Sequence, residues 1–578
     1  MSNDGAPAES GAAGDAAMNE IPRVLVIGLD ALTPRLVEEW IAEGRLPNLQ
    51  KFMSEGAWGA LNSVPNRNSA PAWSSMVTGL NPGKHGIYWF TEDNPESYDY
   101  KFVNGSFRRG KAFWNVLSED QQQVGIVNVP LTFPAETVNG TMVAGLDSPS
   151  VDHPNFTYPP ELRTEVKDAA GGEYHVHPAL AQYVVAGKID EGLDRLHSSI
   201  DKRAAVAKHL MTTRPWDAFM VVFTESDVVQ HFFWRHMADP SPGDSGRAVN
   251  AIRDTYEHLD RVVGELMDIA GDDTVYVVVS DHGARYDHGL ARALPSWLEQ
   301  LGLLSYRDPK RRAGLRPLMV GGASKLYRQL DKRLPSEIKH KISGRLPWVH
   351  RRMQVMMSFA KLDWTRTQAY TDGQRPEIWV NLRGRQSQGI VAPEDYEQVR
   401  QEMIDRLSSA VCSTTGRPLV RRVMRREDVY SGPYVDRSPD LVVEWMDEGA
   451  CLDIRYPDGT ELSLTKQHLP DDPYDQLLNG GHDQHGIVGI IGPGVRRASL
   501  QDAQIADIAP TVLYLRDAPI PQDLDGVVLE AAIEPQLLES RAGKTGGSAV
   551  RHHGDDTGYS EEEAAEVHDR LQALGYVE

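Results

Sequence analysis

Cysteine is nearly absent: Cys412 and Cys451 are the only two in 578 residues. So few thiols exclude a disulfide scaffold and any cysteine-rich zinc module. Long hydrophobic runs are also missing. No stretch reaches the roughly 18 apolar residues of a membrane-spanning helix, so no transmembrane segment is expected. The start, MSNDGAPAESGAAGDAAMNE, has neither the basic residues nor the apolar core of a secretory signal. Positive charge is in deficit, with 60 Lys and Arg against 82 Asp and Glu and a net charge of −22. That deficit argues against binding a nucleic-acid polymer, which needs a basic face for phosphates. These absences together lead to the expectation of a cytoplasmic protein with reduced thiols.

The composition that remains, 40% hydrophobic, supports a sizeable core. Residues 1–20 are small, polar and acidic, and a disordered tail is expected there. RVLVIGLDAL then begins abruptly, a short apolar run closed by Asp30. Such a run suits a strand buried on both faces of a parallel sheet. GIVNV (125–129), AFMVVFT (218–224), TVYVVVSD (274–281) and GIVGIIG (486–492) read alike. Helical patterns lie between them, as at 34–43, 199–213 and 248–269. This alternation predicts an α/β fold, mostly parallel, with helices on both faces. Ligands in such sheets gather at the C-terminal ends of the strands.

Residues 306–355 break the pattern, with fourteen Lys and Arg against three acids and short amphipathic stretches. A helical insertion, 306–365, is predicted as a cap, with an anionic-substrate clamp or a membrane-surface contact as alternatives. The core pattern then resumes at WTRTQAY and EIWVNL. Residues 536–558 read as a linker and 559–578 as a terminal helix, opened by a capping box of Ser560 and Glu563.

Acids and imidazoles recur at the strand ends. Asp30 closes the first strand, and SDHG places Asp281 and His282 after another. In TESDVVQH, Asp227 and His231 stand four apart, on one side of a helix, where both can reach one metal. His482 lies in NGGHDQHG, ahead of a further strand. Three Asp and three His are donors suited to zinc or manganese. Ser69, in NSAPAW, stands at a helix start, where it is either an N-cap or a hydroxyl set beside a phosphate site.

In order, VIGLD, SAPAWSSMVTGLNPGKHGI, ESDVVQH, SDHG, GGHDQHGIVGIIGPGV and DIAPTVLYLRDAPIPQDLDG resemble the alkaline phosphatase superfamily. They are most similar to its type I phosphodiesterase/nucleotide pyrophosphatase branch, over about residues 23–530, with an ALGY tail as in related members. The resemblance implies an alkaline-phosphatase-like catalytic domain formed by 21–305 and 366–535. It implies a two-metal site, with Asp227, His231 and His482 on one ion and Asp30, Asp281, His282 and Ser69 on the other. Ser69 falls on the nucleophile position, which implies a phosphoseryl intermediate. Two divalent cations are expected, zinc first and manganese as the alternative. The expected substrate is a small-molecule phosphate ester: a nucleotide, nucleotide sugar or lipid head group. A monoesterase or phosphotransferase of the same superfamily, or a non-catalytic scaffold, are the alternatives.

Departures narrow the transfer. Phe90 stands near the place of a phosphate-binding asparagine in nucleotide pyrophosphatases, and Asn68 or backbone N–H groups are the candidate substitutes. Ser69 is followed by Ala-Pro-Ala-Trp without an arginine, which disfavours a sulfatase. His85 reads as structural, and Asp287 and His288 as a polar loop. His485 reads as a neighbour of the ligands, and Lys84 and Arg285 as candidate phosphate contacts. Trp73, Trp89 and Phe90 read as packing beneath the nucleophile loop, with stacking on a base or glycan as the alternative.

Overall fold

The computed structural model describes residues 21–307, 362–446, 451–465, 477–550 and 558–573, apart from 97 and 288. The expected tail, most of the basic insertion and the end of the ALGY tail lie outside the described residues. Where the insertion departs and returns, Tyr306 bridges Leu362, and Asp363 N donates to Ser305 O at 2.8 Å.

Continuous apolar runs build the central strands: β1 (Arg23–Leu29), β2 (Ala57–Asn62), β3 (Val124–Val127), β4 (Gly140–Val143), β5 (Ala218–Phe223), β6 (Thr274–Val279) and β7 (His485–Ile491). They lie side by side as β2-β7-β6-β1-β5-β3-β4 within a ten-stranded sheet. From β6 to β4 neighbouring strands are parallel, with Val24 level with Ala218 on one side and Val275 on the other. Successive side chains point to opposite faces, so each strand feeds two cores. Leu25, Ile27 and Leu29 pack on one face, and Val24 and Val26 on the other. The first core is roofed by α2 (Ile189–Thr213), α3 (Glu225–Ala238) and α4 (Gly246–Ala270). The second is roofed by α1 (Ser69–Thr78) and α5 (Ile508–Leu515). Each enclosed Val, Leu or Ile contributes about 1.5–3 kcal/mol, which explains why the pattern was readable.

β7 departs from the expected direction. It runs antiparallel to both β6 and β2, with Val488 level with Val279 and His485 with Asn62. Its beginning, rather than its end, therefore lies at the rim where β1, β5 and β6 finish.

WTRTQAY and EIWVNL do not return to the central sheet. Ala369–Tyr370 and Glu377–Val380 join Leu441–Trp445 and Val420–Arg425 in a separate four-stranded antiparallel sheet with its own core. Beside it, Val411–Cys412 pairs with Asp453–Arg455, and Cys412 and Cys451 are joined as a disulfide with Cα atoms 5.5 Å apart. The expectation of reduced thiols is corrected here: strand pairing brings together two residues 39 apart in sequence. Among the described residues no helix is long and apolar enough to cross a membrane.

The start of the expected linker is ordered against the body. Pro535–Ser540 is helical, Gly546 N donates to Ile520 O at 2.7 Å, and Lys111 N donates to Ala549 O at 2.8 Å. The C-terminal helix α6 (Glu561–Ala573) carries the capping box, with Ser560 N donating to Glu563 Oε2 at 2.8 Å and Glu563 N to Ser560 Oγ at 3.3 Å.

Candidate active site

Three parallel strands end on one rim, and each delivers an acid there. Asp30 follows β1, and Asp281 and His282 follow β6. After β5 the chain turns directly into α3, whose first two turns carry Asp227 and His231. Their i,i+4 spacing puts both on one side, with His231 Nε2 3.3 Å from Asp227 Oδ1. His482 arrives on a short strand, Gly480–Asp483, which pairs antiparallel with Gly283–Tyr286 and sets Ala284 level with His482. This placement needs Gly480: a Cβ there would stand 2.1 Å from Gln230 O on α3.

Two donor groups result, Asp227 with His231 and His482, and Asp30 with Asp281 and His282. Within each, one ligand atom per residue lies within 4.8 Å of the others. The groups adjoin, since the His282 and His482 rings are 4.1 Å apart.

Hydrogen bonds select the nitrogens that face inward. His231 Nδ1 donates to Gly480 O at 3.0 Å, and His282 Nδ1 to Gly283 O at 3.0 Å. Both Nε2 atoms are thereby turned to the donor groups, as metal-binding imidazoles require. His231 Nε2 and His482 Nε2 stand 3.2 Å apart. On the other side, Asp30 Oδ1 and Asp281 Oδ2 are buried with no hydrogen-bond partner. Their second oxygens are engaged: Trp73 Nε1 donates to Asp30 Oδ2 at 3.1 Å, and Ala31 N to Asp281 Oδ1 at 3.2 Å. Asp281 Oδ2 lies 3.1 Å and Asp30 Oδ1 3.7 Å from His282 Nε2.

Burial, and then the neighbouring Asp281, push the Asp30 carboxyl well above its usual range. Burial takes Asp281 up to about 7. Burial, and next the His482 ring, hold His282 well below an ordinary histidine. Around Asp227 burial opposes ionisation, but the His231 charge wins and draws the carboxyl well below the usual range. His231 is raised in return by Asp227, against its own burial. Two crowded carboxyls with a neutral imidazole, beside a carboxylate paired with a charged imidazole, form donor sets that divalent cations fit.

Ser69 Oγ lies 3.0 Å from His282 Nε2. It is not the N-cap. Asn68 takes that place, its Oδ1 accepting from Ala70 N at 3.1 Å, and Ser69 is the first residue of α1.

Other candidates divide. His85 is enclosed and held neutral, its pKa lowered by burial to about 3. Its Nδ1 accepts from Ile87 N at 3.2 Å and its Nε2 faces Ser75 Oγ at 2.9 Å, a structural arrangement. Lys84 is not a phosphate contact, since its Nζ pairs with Asp525 Oδ1 at 2.6 Å and Asp523 O at 2.8 Å. Asp287 caps Gly289 N at 2.8 Å and pairs with Arg292. His485 is exposed at the start of β7, and Arg285 is half-buried on the strand facing Gly481. His288 lies outside the described residues. Phe90 and Trp89 are core side chains.

Trp73 packs in the core as expected, and its indole also orients Asp30, a role the sequence does not announce. The available signal was its place four residues after Ser69, one turn along the same helix face. Ser280 is a further residue that carries no signal in the sequence. Its hydroxyl donates to His282 O at 2.6 Å and accepts from Leu32 N at 2.8 Å, tying the ends of β6 and β1 together.

Solved structures resemble the chain at low identity. The phosphonoacetate hydrolase of Sinorhizobium meliloti, bound to phosphonoformate, is 16% identical over 86% of this chain and 96% of its own, with a TM-score of 0.47. Human ectonucleotide pyrophosphatase/phosphodiesterase 5 is 13% identical over 87% and 97%, with a TM-score of 0.43. A variant of the alkaline phosphatase PafA is 13% identical over 89% and 100%, with a TM-score of 0.47. No curated protein matches. The sequence profile of "Type I phosphodiesterase / nucleotide pyrophosphatase" matches residues 24–453, from β1 through the second sheet. With most of its length matched, the chain belongs to the type I phosphodiesterase/nucleotide pyrophosphatase family, enzymes of the alkaline phosphatase superfamily.

Proposed function

We propose that this enzyme hydrolyses phosphodiester or pyrophosphate bonds through a phosphoseryl intermediate on Ser69. In this reading Asp227, His231 and His482 hold one divalent cation. Asp30, Asp281, His282 and Ser69 hold the other, zinc being the first choice and manganese the second. The observation that carries the reading is the pair of adjoining buried donor groups with a serine hydroxyl 3.0 Å from one of them. Cations bound there would lower the pKa of the serine hydroxyl and offset charge on the attacking and departing oxygens.

The chain's own part follows from its geometry. Ser69 Oγ, presented at the N-terminal end of α1, attacks phosphorus, and the phosphoryl oxygens face the positive end of the helix dipole. The Oγ–P bond forms as the bond to the leaving oxygen breaks, and the serine proton passes to solvent or to the leaving oxygen. Water then attacks the phosphoserine, releases the phosphorylated product and restores the hydroxyl. The substrate is a small phosphate ester: a nucleotide, nucleotide sugar or lipid head group. The same reading takes 21–305 and 366–535 as the catalytic domain and 306–365 as its insertion.

The test is Ser69→Ala, compared with wild type on bis-nitrophenyl and mono-nitrophenyl phosphates after metal analysis. The expected result is two cations per chain in both proteins, a diester preference in the wild type and no turnover in the variant. Substantial turnover by the variant would refute the serine intermediate. A monoester preference would move the assignment to the phosphatase reading.

A further inference from the structure

Beside Ser69 a hydrogen-bond donor stands idle. Asn68 is fully buried, and its Nδ2 has no partner. The two branches of its amide are distinguished by the cap: Oδ1 accepts from Ala70 N at 3.1 Å and is turned into α1, so the NH2 is turned out of the helix. A buried N–H without an acceptor costs stability, and such a group persists where another requirement offsets the loss.

The backbone around it is fixed from both sides. Arg67, the preceding residue, has a φ of 52°, in the left-handed region. It is held there as its Nε donates to Gln484 Oε1 at 3.1 Å and its guanidinium lies 3.7 Å from Glu444 Oε1. On the helix side, Ala72 N donates to Asn68 O at 3.0 Å. Conformations of this kind are kept where surrounding contacts over-determine them, and they cluster at active sites. The idle donor is thus preorganised one residue from the proposed nucleophile. A phosphoryl group on its way to Ser69 Oγ brings non-bridging oxygens, rich in negative charge, to the residue next to it.

We propose that Asn68 Nδ2 donates a hydrogen bond to a non-bridging oxygen of the phosphoryl group during its transfer to Ser69. Asn68 is then a catalytic residue as well as a helix cap. The proposal rests on the phosphoseryl reading above. A fixed donor of this kind acts most on the oxygen whose charge grows in the transition state, so it lowers the barrier more than it tightens substrate binding.

The experiment uses full-length protein with its metal content measured. It compares wild type, Asn68→Asp, Asn68→Ser and Ser69→Ala. Aspartate keeps a capping oxygen in the same shape and removes the NH2. Serine is itself a favoured cap and too short to replace the donor. Readouts are kcat and KM on bis-nitrophenyl phosphate, affinity for orthovanadate as a transition-state mimic, and the melting temperature. Expected for both Asn68 variants is a fall in kcat of about 10²–10³, with KM changed less. Vanadate affinity should fall in parallel while metal content stays at the wild-type level. Asn68→Ser should also melt within a few degrees of wild type. An Asn68→Ser protein with kcat within about threefold of wild type overturns the proposal. So does a loss of activity in both variants that only follows lost metal or lost fold, which would leave Asn68 a cap alone. Ser69→Ala separates the two layers. If it stays active, the serine mechanism itself fails. If it is dead while the Asn68 variants are active, only the role of Asn68 fails.

Discussion

Trp73 Nε1 donates to Asp30 Oδ2 at 3.1 Å, across the boundary between α1 and β1. The helix that opens with Ser69 therefore also orients a carboxylate of the neighbouring donor group. Gly28 makes the contact possible, because a Cβ there would lie 2.5 Å from Trp73 Cη2. Trp73→Phe keeps most of the ring volume and removes the N–H. It is expected to weaken metal affinity about 10–100-fold, the usual effect of losing a hydrogen bond to a ligand. Metal titration followed by calorimetry checks this, and unchanged affinity would show that the indole only packs.

Metal removal is expected to destabilise the fold. Without a cation, Asp30 and Asp281 face each other as buried acids. A cation at about 1,000 times its Kd adds about 4 kcal/mol of stability. A chelator should therefore lower the melting temperature by several degrees, and zinc or manganese should restore it. Asp227→Asn should retain the group built on Asp30 and lose one cation per chain in elemental analysis. A chelated protein that melts at the original temperature would speak against both sites.

Glu377, on the second sheet, is enclosed and is pushed up to about 8 by burial, against the pull of the nearby Arg375. Its folded pKa exceeds the value near 4.5 of the unfolded chain. Between those values the folded state binds the extra proton. The stability from Glu377 is thus complete below about 4.5 and is lost as pH rises through about 8. Glu377→Gln keeps an acceptor for Asn66 Nδ2, now at 3.1 Å from Glu377 Oε1, and does not titrate. The variant is expected to lose on the order of 1–3 kcal/mol of the wild-type decline between pH 5 and pH 8. Denaturant melts at the two pH values measure it, and an identical slope in both proteins would refute it.

Arg203 and Glu225 form an ion pair with both side chains wholly enclosed, and Ser199 Oγ also donates to Glu225 Oε1 at 2.7 Å. Glu225 is the first residue of α3, two positions before Asp227. Arg203→Met alone leaves a buried carboxylate and should cost about 3–5 kcal/mol. Pairing it with Glu225→Leu removes both charges and should recover most of that loss. Equal destabilisation by the single and double variants would contradict this account.

Much of the site was legible because parallel strands are apolar runs and their C-terminal residues are polar by contrast. Asp30, Asp281 and His282 stand directly at such transitions, and Asp227 and His231 in the first two turns of the helix that follows one. His482 could be recognised only from its company, since its strand is short, glycine-rich and antiparallel. Pairing direction is not written in apolarity, so β7 reads like its parallel neighbours. The second sheet was missed for the same reason: EIWVNL has the composition of a core strand, and partner choice is a long-range decision. Asn68 and Ser69 are both good caps by residue type. Which of them caps depends on where the helix begins, and local preference leaves that within a residue or two. The disulfide needed two segments 39 residues apart to pair, which spacing alone does not specify.

The reversal of β7 has a consequence for synthesis. Every other Asp and His of the two donor groups is encoded by residue 282, while His482 is translated 200 residues later, on the chain that returns through β7. The contact between His231 and His482 spans 251 positions. A nascent chain must therefore carry most of its length outside the ribosome before the donor set is complete. Any product that stops short of Gly480 has Ser69 and five of the six Asp and His donors, and no complete pair of donor groups.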